Sequence, residues 1–258
     1  MKDTTTMFPS RVTIEITNAC NLNCSVCPRR FMTDPVGFMN FYLWKQIIDE
    51  IAHKNITLVP FWRGESLLHP MVKPMLAYTI HKFKEIQFAT NGILVEKYLD
   101  MVLLFDFVSI SYHTEDAVKA VKLLNKYRKN NKPRIQISVV KGETTESKIQ
   151  DMRKYVDVIR IYDKHSSNGQ LGSIGGRENR RFCPKLVTDI TIDYTGNVSR
   201  CCHNWMTDKP MNVRDNSIQE VWNGDGYQQI RDNYPDEICS ACEQWGTKTV
   251  GSTEVVNR

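Results

Sequence analysis

"RVTIEITNACNLNCSVCP", Arg11 to Pro28, runs from an extended segment of β-branched residues directly into three cysteines, Cys20, Cys24 and Cys27, spaced C-x₃-C-x₂-C. The first seven residues alternate as a strand does, so the thiols occupy the loop at that strand's C-terminal end. In parallel α/β architectures active sites gather at this rim. A structural zinc or a conventional iron–sulfur cluster takes four protein ligands, whereas three thiols with no fourth close by leave one coordination position open. Three thiolates on three irons of a cubane [4Fe–4S] cluster would leave the fourth iron for a substrate or cofactor. A partial zinc site is the competing reading of the three thiols taken alone.

Working outward, further extended segments appear at 56–61, 85–90, 107–112, 134–140 and 156–162, making six strands with 11–17. Helical patterns separate them. Asn40 is placed to cap a helix with Trp44, Ile47, Ile48 and Ile51 on one face, and Ala117, Val118, Val121 and Leu124 repeat that spacing after Thr114. Weaker helical signals follow Pro70, Ile93 and Thr144. Strands alternating with helices predict a parallel α/β sheet with right-handed crossovers, either doubly wound or a partial barrel.

After residue 165 the texture changes. "HSSNGQLGSIGG" (165–176) is a loop by its Gly and Ser content, a linker or an active-site lid. "LVTDITIDYTGNVSRC" (186–201) predicts a hairpin turning near Thr195 to Asn197, and Ser217 with Glu220 opens a helix through a capping box. Cys183, Cys201, Cys202, Cys239 and Cys242 form a second thiol group, enough to close a zinc site or a complete [4Fe–4S] cluster. The expected organisation is a core at 1–165 and a smaller unit at 166–258.

Composition bounds the rest. With 41% hydrophobic and 24% charged residues, the 258-residue chain has the balance of a globular protein with a full core, not of a disordered one. No signal-peptide core or membrane-length apolar run is present, which predicts a cytoplasmic protein without membrane association. In a reducing cytosol the eight cysteines then read as metal ligands or reactive thiols rather than disulfides. The net charge of +5 is modest, and the basic run from Lys122 to Arg134 reads as a solvated helix face, so nucleic acid is not expected as a partner.

The cysteine spacing after strand one resembles the radical S-adenosylmethionine (SAM) enzymes. The resemblance implies that Cys20, Cys24 and Cys27 bind a [4Fe–4S] cluster whose open iron chelates SAM, and that the fold is an α/β partial (β/α)₆ TIM-like barrel. "RGESLLHP" after strand two is similar to the family's Gly-Gly-Glu-Pro segment, with Arg63 and Ser66 in place of the first Gly and the Pro. This places Gly64, Glu65 and Ser66 near the SAM amino group. Asn91 and Gly92 in "ATNG", and Ser111 in "SIS", fall where family members approach SAM. Val26 takes a position usually aromatic, beside the adenine. Read alone, Gly64, Asn91 and Gly92 are equally turn residues, and Glu65 a surface acid.

The second thiol group resembles the Twitch form of the SPASM domain, a small C-terminal β-hairpin plus helix that binds an auxiliary [4Fe–4S] cluster. Aligning its turn on Gly196 and Val198 implies Cys183, Cys201, Cys239 and Cys242 as ligands and Cys202 as the spare. Size and layout are similar to the aminocyclitol dehydrogenases of the butirosin type. Those enzymes oxidise a secondary alcohol to a ketone, with the auxiliary cluster accepting an electron. The resemblance thus implies an oxidoreductase using SAM and two [4Fe–4S] clusters, a small polar substrate such as a sugar or aminocyclitol, and an external one-electron donor such as flavodoxin or ferredoxin. Crosslinking or epimerisation of a ribosomally made peptide is the runner-up. Only ten residues precede strand one, so no N-terminal peptide-recognition domain is expected. A redox-sensing or nucleic-acid-binding iron–sulfur protein is a third reading, distinguished by whether SAM is cleaved. Trp62, Arg63, His113, Asp163, His165 and Arg177, polar residues near strand ends or in the joining loop, are the expected substrate-facing set. His165 and Arg177 are the candidate catalytic pair, because their loop connects the two cysteine groups.

Overall fold

The computed structural model describes residues 8–142, 144–163, 182–205, 211–240, 242 and 251–256. Six parallel strands, β1 (Arg11–Ile14), β2 (Thr57–Val59), β3 (Glu85–Thr90), β4 (Phe107–Ser111), β5 (Arg134–Val140) and β6 (Val158–Tyr162), lie side by side in chain order. The helices α1 (Phe41–Ile51), α2 (Val72–Thr79), α3 (Leu99–Val102), α4 (Glu115–Tyr127) and α5 (Glu146–Arg153) fall one in each connection. A doubly wound sheet reverses its strand order at a switch point, and this one does not, which makes it a partial barrel.

Local chemistry explains the elements. Asn40 accepts a hydrogen bond from the Tyr42 amide (2.8 Å) and caps α1. Leu43, Trp44, Ile47, Ile48 and Ile51 bury the inner face of that helix, each contributing about 1.5–3 kcal/mol. The Trp44 indole, completely buried, donates to the Met75 carbonyl (3.0 Å), so its own N–H is satisfied. On α4 the buried stripe is Ala117, Ala120, Val121 and Leu124, with Val118 half-buried beside it. Thr145, one residue later than the sequence pattern indicates, caps α5 by accepting from the Lys148 amide (3.4 Å). Within the basic run, Arg128 pairs with Asp157 and Lys132 with Asp106 (3.0 Å), so these charges tie helix and loop to neighbouring strands.

The C-terminal hairpin joins the same sheet. Strand β7 (Asp189–Ile192) pairs parallel with β1, Arg11 opposite Asp189 and Ile14 opposite Ile192. Strands β8 (Asn197–Ser199) and β9 (Met211–Asn212) continue it antiparallel, with Gly196 at φ +89° making the turn. At the far edge β10 (Ser252–Val255) pairs antiparallel with β6. Neither sheet extension is anticipated by local sequence pattern. α6 (Lys185–Thr188), α7 (Ile218–Asn223), α8 (Asp225–Asp232) and α9 (Glu237–Ser240) complete the fold, and the Ser217–Glu220 capping box at α7 is present. Among the described residues no helix is long and apolar enough to cross a membrane.

Candidate active site

The loop after β1 is held from below by two buried polar residues. Thr17 Oγ1 donates to the Gly37 carbonyl (2.7 Å), while Asn18 accepts from the Gly37 amide (2.8 Å) and donates to the Pro35 carbonyl (2.8 Å). These bonds close the loop into a clasp carrying Cys20, Cys24 and Cys27, all half-buried. The Cys27 amide donates to the Cys24 carbonyl (3.1 Å) as the chain turns into a short 3₁₀ segment, Pro28–Phe31. Burial, and then the neighbouring Cys20, push the Cys27 thiol above its ordinary range.

The strand-end motifs converge beside this clasp. Glu65 is buried and accepts from the Asn91 amide (2.8 Å), the Leu67 amide (3.2 Å) and the Thr90 hydroxyl (3.0 Å), tying the β2 exit to the β3 exit. Desolvation dominates and raises its carboxyl above the usual range, although these donors oppose it. Glu65 is therefore a buried brace and not a surface acid. Ser66 donates to the Pro60 carbonyl (2.9 Å) within the same bend. Asn91 donates to Asn21 in the cysteine clasp (2.7 Å), and Gly92 sits at φ +90°. Gly64 is needed for close approach: a Cβ there would lie 2.4 Å from the Thr17 carbonyl and 2.5 Å from that of Ala19.

Arg63 does not face a substrate space. Its side chain is fully buried, with two bonds to Glu15 (2.7 and 2.8 Å), one to Asp34 (2.5 Å), one to the Trp205 carbonyl (3.0 Å), and Asp193 at 3.9 Å. The residue just past β1, the cysteine loop and the C-terminal hairpin thus meet on one guanidinium. The Glu in "TIEIT" was the available signal, since a carboxylate inside a strand needs a buried partner.

Above the inner face of the sheet lies a cavity of about 1080 Å³. Val26 and Cys27 wall one side, Trp62 and Ser111 line it, and Cys202, His203 and Trp205 come from the C-terminal segment. The Trp62 and Trp205 indoles both donate to the Cys202 carbonyl (2.7 and 3.0 Å). His113 and Asp163 reach the lining, Asp163 also facing Lys141 at 3.7 Å. His165 and Arg177, with the 165–176 loop, lie outside the described residues. Arg11, Gln87, Ser109, Gln136 and Ser138 also line the cavity and are missed by motif reasoning. For Ser109, Gln136 and Ser138 the signal is period-two polarity in "VSIS" and "IQIS", where a closed apolar barrel would repeat Val or Ile.

Cys183, Cys201, Cys239 and Cys242 share the lining of a second, narrow pocket, while Cys202 turns to the large cavity. His203 borders both. Burial, followed by repulsion from Cys202, Cys242 and Cys239, holds the Cys201 thiol far above its ordinary value. Cys239 is pushed up to about 11 by burial and Asp236. At Cys202 burial is outweighed by His203 and Lys185, which draw the thiol down to about 7. Crowded buried thiols that oppose one another's ionisation suit a cationic group, because binding as thiolates removes the penalty. Arg200 Nη1 lies 3.8 Å from Cys239 Sγ and pairs with Asp236, a donor for sulfur at the edge of the pocket. Among the described residues no three Cys, His, Asp or Glu side chains converge as on a single metal ion. Ligands that each hold a separate iron do not require that convergence.

Residues 14–156, more than half of the chain, match the model of the radical SAM superfamily, and residues 183–243 match SPASM, an iron–sulfur cluster-binding domain. The antilisterial bacteriocin subtilosin biosynthesis protein AlbA of Bacillus subtilis is 29% identical over 90 residues, 35% of this chain and 20% of that protein. A GTP 3′,8-cyclase of Chlorobaculum tepidum is 26% identical over 121 residues, 45% of this chain and 37% of the cyclase. The chain therefore matches less than half the length of these curated relatives. Among solved structures, BtrN in complex with AdoMet and 2-DOIA superposes with a TM-score of 0.60 at 16% identity, covering 92% of this chain and 93% of BtrN. Streptococcus suis SuiB bound to precursor peptide SuiA gives 0.68 at 13% identity, covering 92% of this chain and 72% of SuiB. The domain matches carry SAM with a [4Fe–4S] cluster in the barrel and auxiliary iron–sulfur binding in the C-terminal segment.

Proposed function

The chain belongs to the radical SAM superfamily, and from that premise we propose that it oxidises a small polar alcohol, of sugar or aminocyclitol type, to the ketone. The observation that carries this reading is that one cavity faces both thiol groups, Cys27 on one wall and the Cys202–His203 turn, next to Cys201, on another. Cys20, Cys24 and Cys27 would hold the barrel cluster, and Cys183, Cys201, Cys239 and Cys242 the auxiliary one. When bound, SAM and the barrel cluster supply a 5′-deoxyadenosyl radical that takes a hydrogen atom, and the auxiliary cluster supplies an electron acceptor.

The chain's own residues do the rest. Ser111 and Val26, which line the cavity, would contact SAM, Val26 at the adenine, and the Gly64–Ser66 and Asn91–Gly92 bends would meet it from beside the cysteine clasp. Phe61, Trp62 and Trp205 are apolar walls that exclude water from the reacting carbon. Alcohol oxidation also releases the hydroxyl proton, which needs an acceptor within ~3 Å or through one water. Asp163 and His113 line the cavity at the exits of β6 and β4 and are suited to that role; His165 and Arg177 are further candidates by sequence. The reducing electron would come from an external flavodoxin or ferredoxin.

The test is anaerobic incubation of reconstituted, reduced protein with SAM and a panel of aminocyclitols and polyols, measuring 5′-deoxyadenosine and ketone. Ketone in equal amount to 5′-deoxyadenosine is expected. A folded Cys239→Ala/Cys242→Ala variant should retain part of the SAM cleavage and lose ketone, and an unchanged ratio would remove the electron acceptor from the proposal. The likeness to AlbA and to peptide-bound SuiB supports a second reading, modification of a ribosomally made peptide. SAM-dependent mass change of a precursor peptide, with no ketone from any alcohol, would decide for it.

A further inference from the structure

The inner end of the cavity has a chemistry of its own. Ser109 and Ser138 hydroxyls bond each other (2.8 Å), and the Gln136 amide donates to both (2.9 Å each). This pair of strands turns a ladder of neutral donors and acceptors inward. Arg11, first residue of β1, donates through Nη1 to Gln87 Oε1 (2.9 Å), and Gln87 in turn donates to Glu85 (2.7 Å). Among the described residues no carboxylate lies within ion-pair distance of Arg11; Asp189, opposite it in the β1–β7 register, is paired with Lys185 (3.5 Å).

We propose that this inner end is a substrate subsite for a small polyol bearing an anionic group, a carboxylate or phosphate, with Arg11 receiving the anion and Ser109, Gln136 and Ser138 the hydroxyls. The proposal deepens the alcohol-oxidation reading and rests on it. SAM's own carboxylate is not the intended occupant: Cys20, Cys24 and Cys27 lie beyond the C-terminal end of β1, whereas Arg11 opens its N-terminal end. The volume of about 1080 Å³ exceeds an ordinary single-ligand pocket and leaves room for a second molecule beside SAM.

The experiment is calorimetric titration of the reconstituted, SAM-loaded protein with D-glucose, D-glucuronate and D-glucose 6-phosphate, which differ at one carbon. One anionic sugar is expected to bind at least tenfold more tightly than glucose, and which one does identifies carboxylate or phosphate. Arg11→Gln should erase roughly tenfold or more of that preference, the worth of a charged hydrogen bond, while Arg11→Lys should keep part of it. Equal affinity for all three sugars, binding of none, or an anion preference that survives Arg11→Gln overturns the subsite. If Arg11→Gln does not fold, the wild-type comparison still decides. 5′-Deoxyadenosine formation by the wild type separates the two readings. Arg11-dependent anion binding without SAM cleavage defeats the oxidation and leaves the subsite, whereas cleavage without anion preference defeats the subsite alone.

Discussion

Replacing Arg63 by Met removes the centre of a largely buried charge network. Arg63 and Glu15 side chains are both 0% exposed, and Asp193 is at 3%. Met fills most of the volume, so the change isolates charge and hydrogen bonding from packing. Removing one partner of a buried pair costs about 3–5 kcal/mol, because the remaining carboxylate stays desolvated and uncompensated. At roughly 2–4 °C per kcal/mol for a chain of this size, the melting temperature should fall by about 6–20 °C. The sign with pH follows from Glu15, whose carboxyl burial already raises above the usual range against the opposing pull of Arg63. Without Arg63 it rises further. A carboxyl raised in the folded state contributes stability below its unfolded pKa and loses it as pH increases through the folded value. The deficit of Arg63→Met should therefore widen from acidic to alkaline pH, and Glu15→Gln in the same chain should recover part of it. Thermal melts of anaerobically reconstituted protein, followed by circular dichroism at pH 5 and pH 8, measure both. A drop under about 2 °C, or a deficit that shrinks as pH rises, would refute the role of Arg63 as the joint between rim and hairpin.

Three other outcomes are expected. Reconstituted protein should hold about eight irons, and Cys20→Ala/Cys24→Ala/Cys27→Ala about half of them with no SAM cleavage; zinc retained at the C-terminal thiols in place of iron would contradict this. Cys201→Ala should lose auxiliary iron while Cys202→Ala keeps it, since Cys201 lines the pocket with Cys183, Cys239 and Cys242 and Cys202 lines the large cavity; iron analysis showing the reverse would put the register one residue off. Gly64→Ala should weaken SAM binding and cost about 1–3 kcal/mol, because backbone carbonyls at 2.4 and 2.5 Å cannot step aside and the Glu65 amide bond to Ala19 (2.7 Å) would be strained; unchanged SAM affinity by equilibrium dialysis would count against it.

The strands and the helices of the barrel are legible from the chain itself, because a buried parallel strand and an amphipathic helix each write their period into consecutive residues. The three-cysteine spacing, the Asn40 cap and the Ser217–Glu220 capping box are equally local. The partial barrel over a doubly wound sheet came by resemblance, since both share the same alternation, and strand order is a property of pairing. What only tertiary structure decided are the contacts between residues far apart in sequence. Glu65 became a brace because Asn91, 26 residues on, offers its amide. Arg63, read as a substrate-facing polar residue, proved buried because Glu15, 48 residues earlier, and the Trp205 carbonyl, 142 residues later, close around it. The same limit hid the pairing of β7 on β1, which brings the C-terminal hairpin, and with it the Cys202–His203 turn, to the cavity that Cys27 also lines. Hydrophobic period records which face of a segment is buried, while nothing in it records against what.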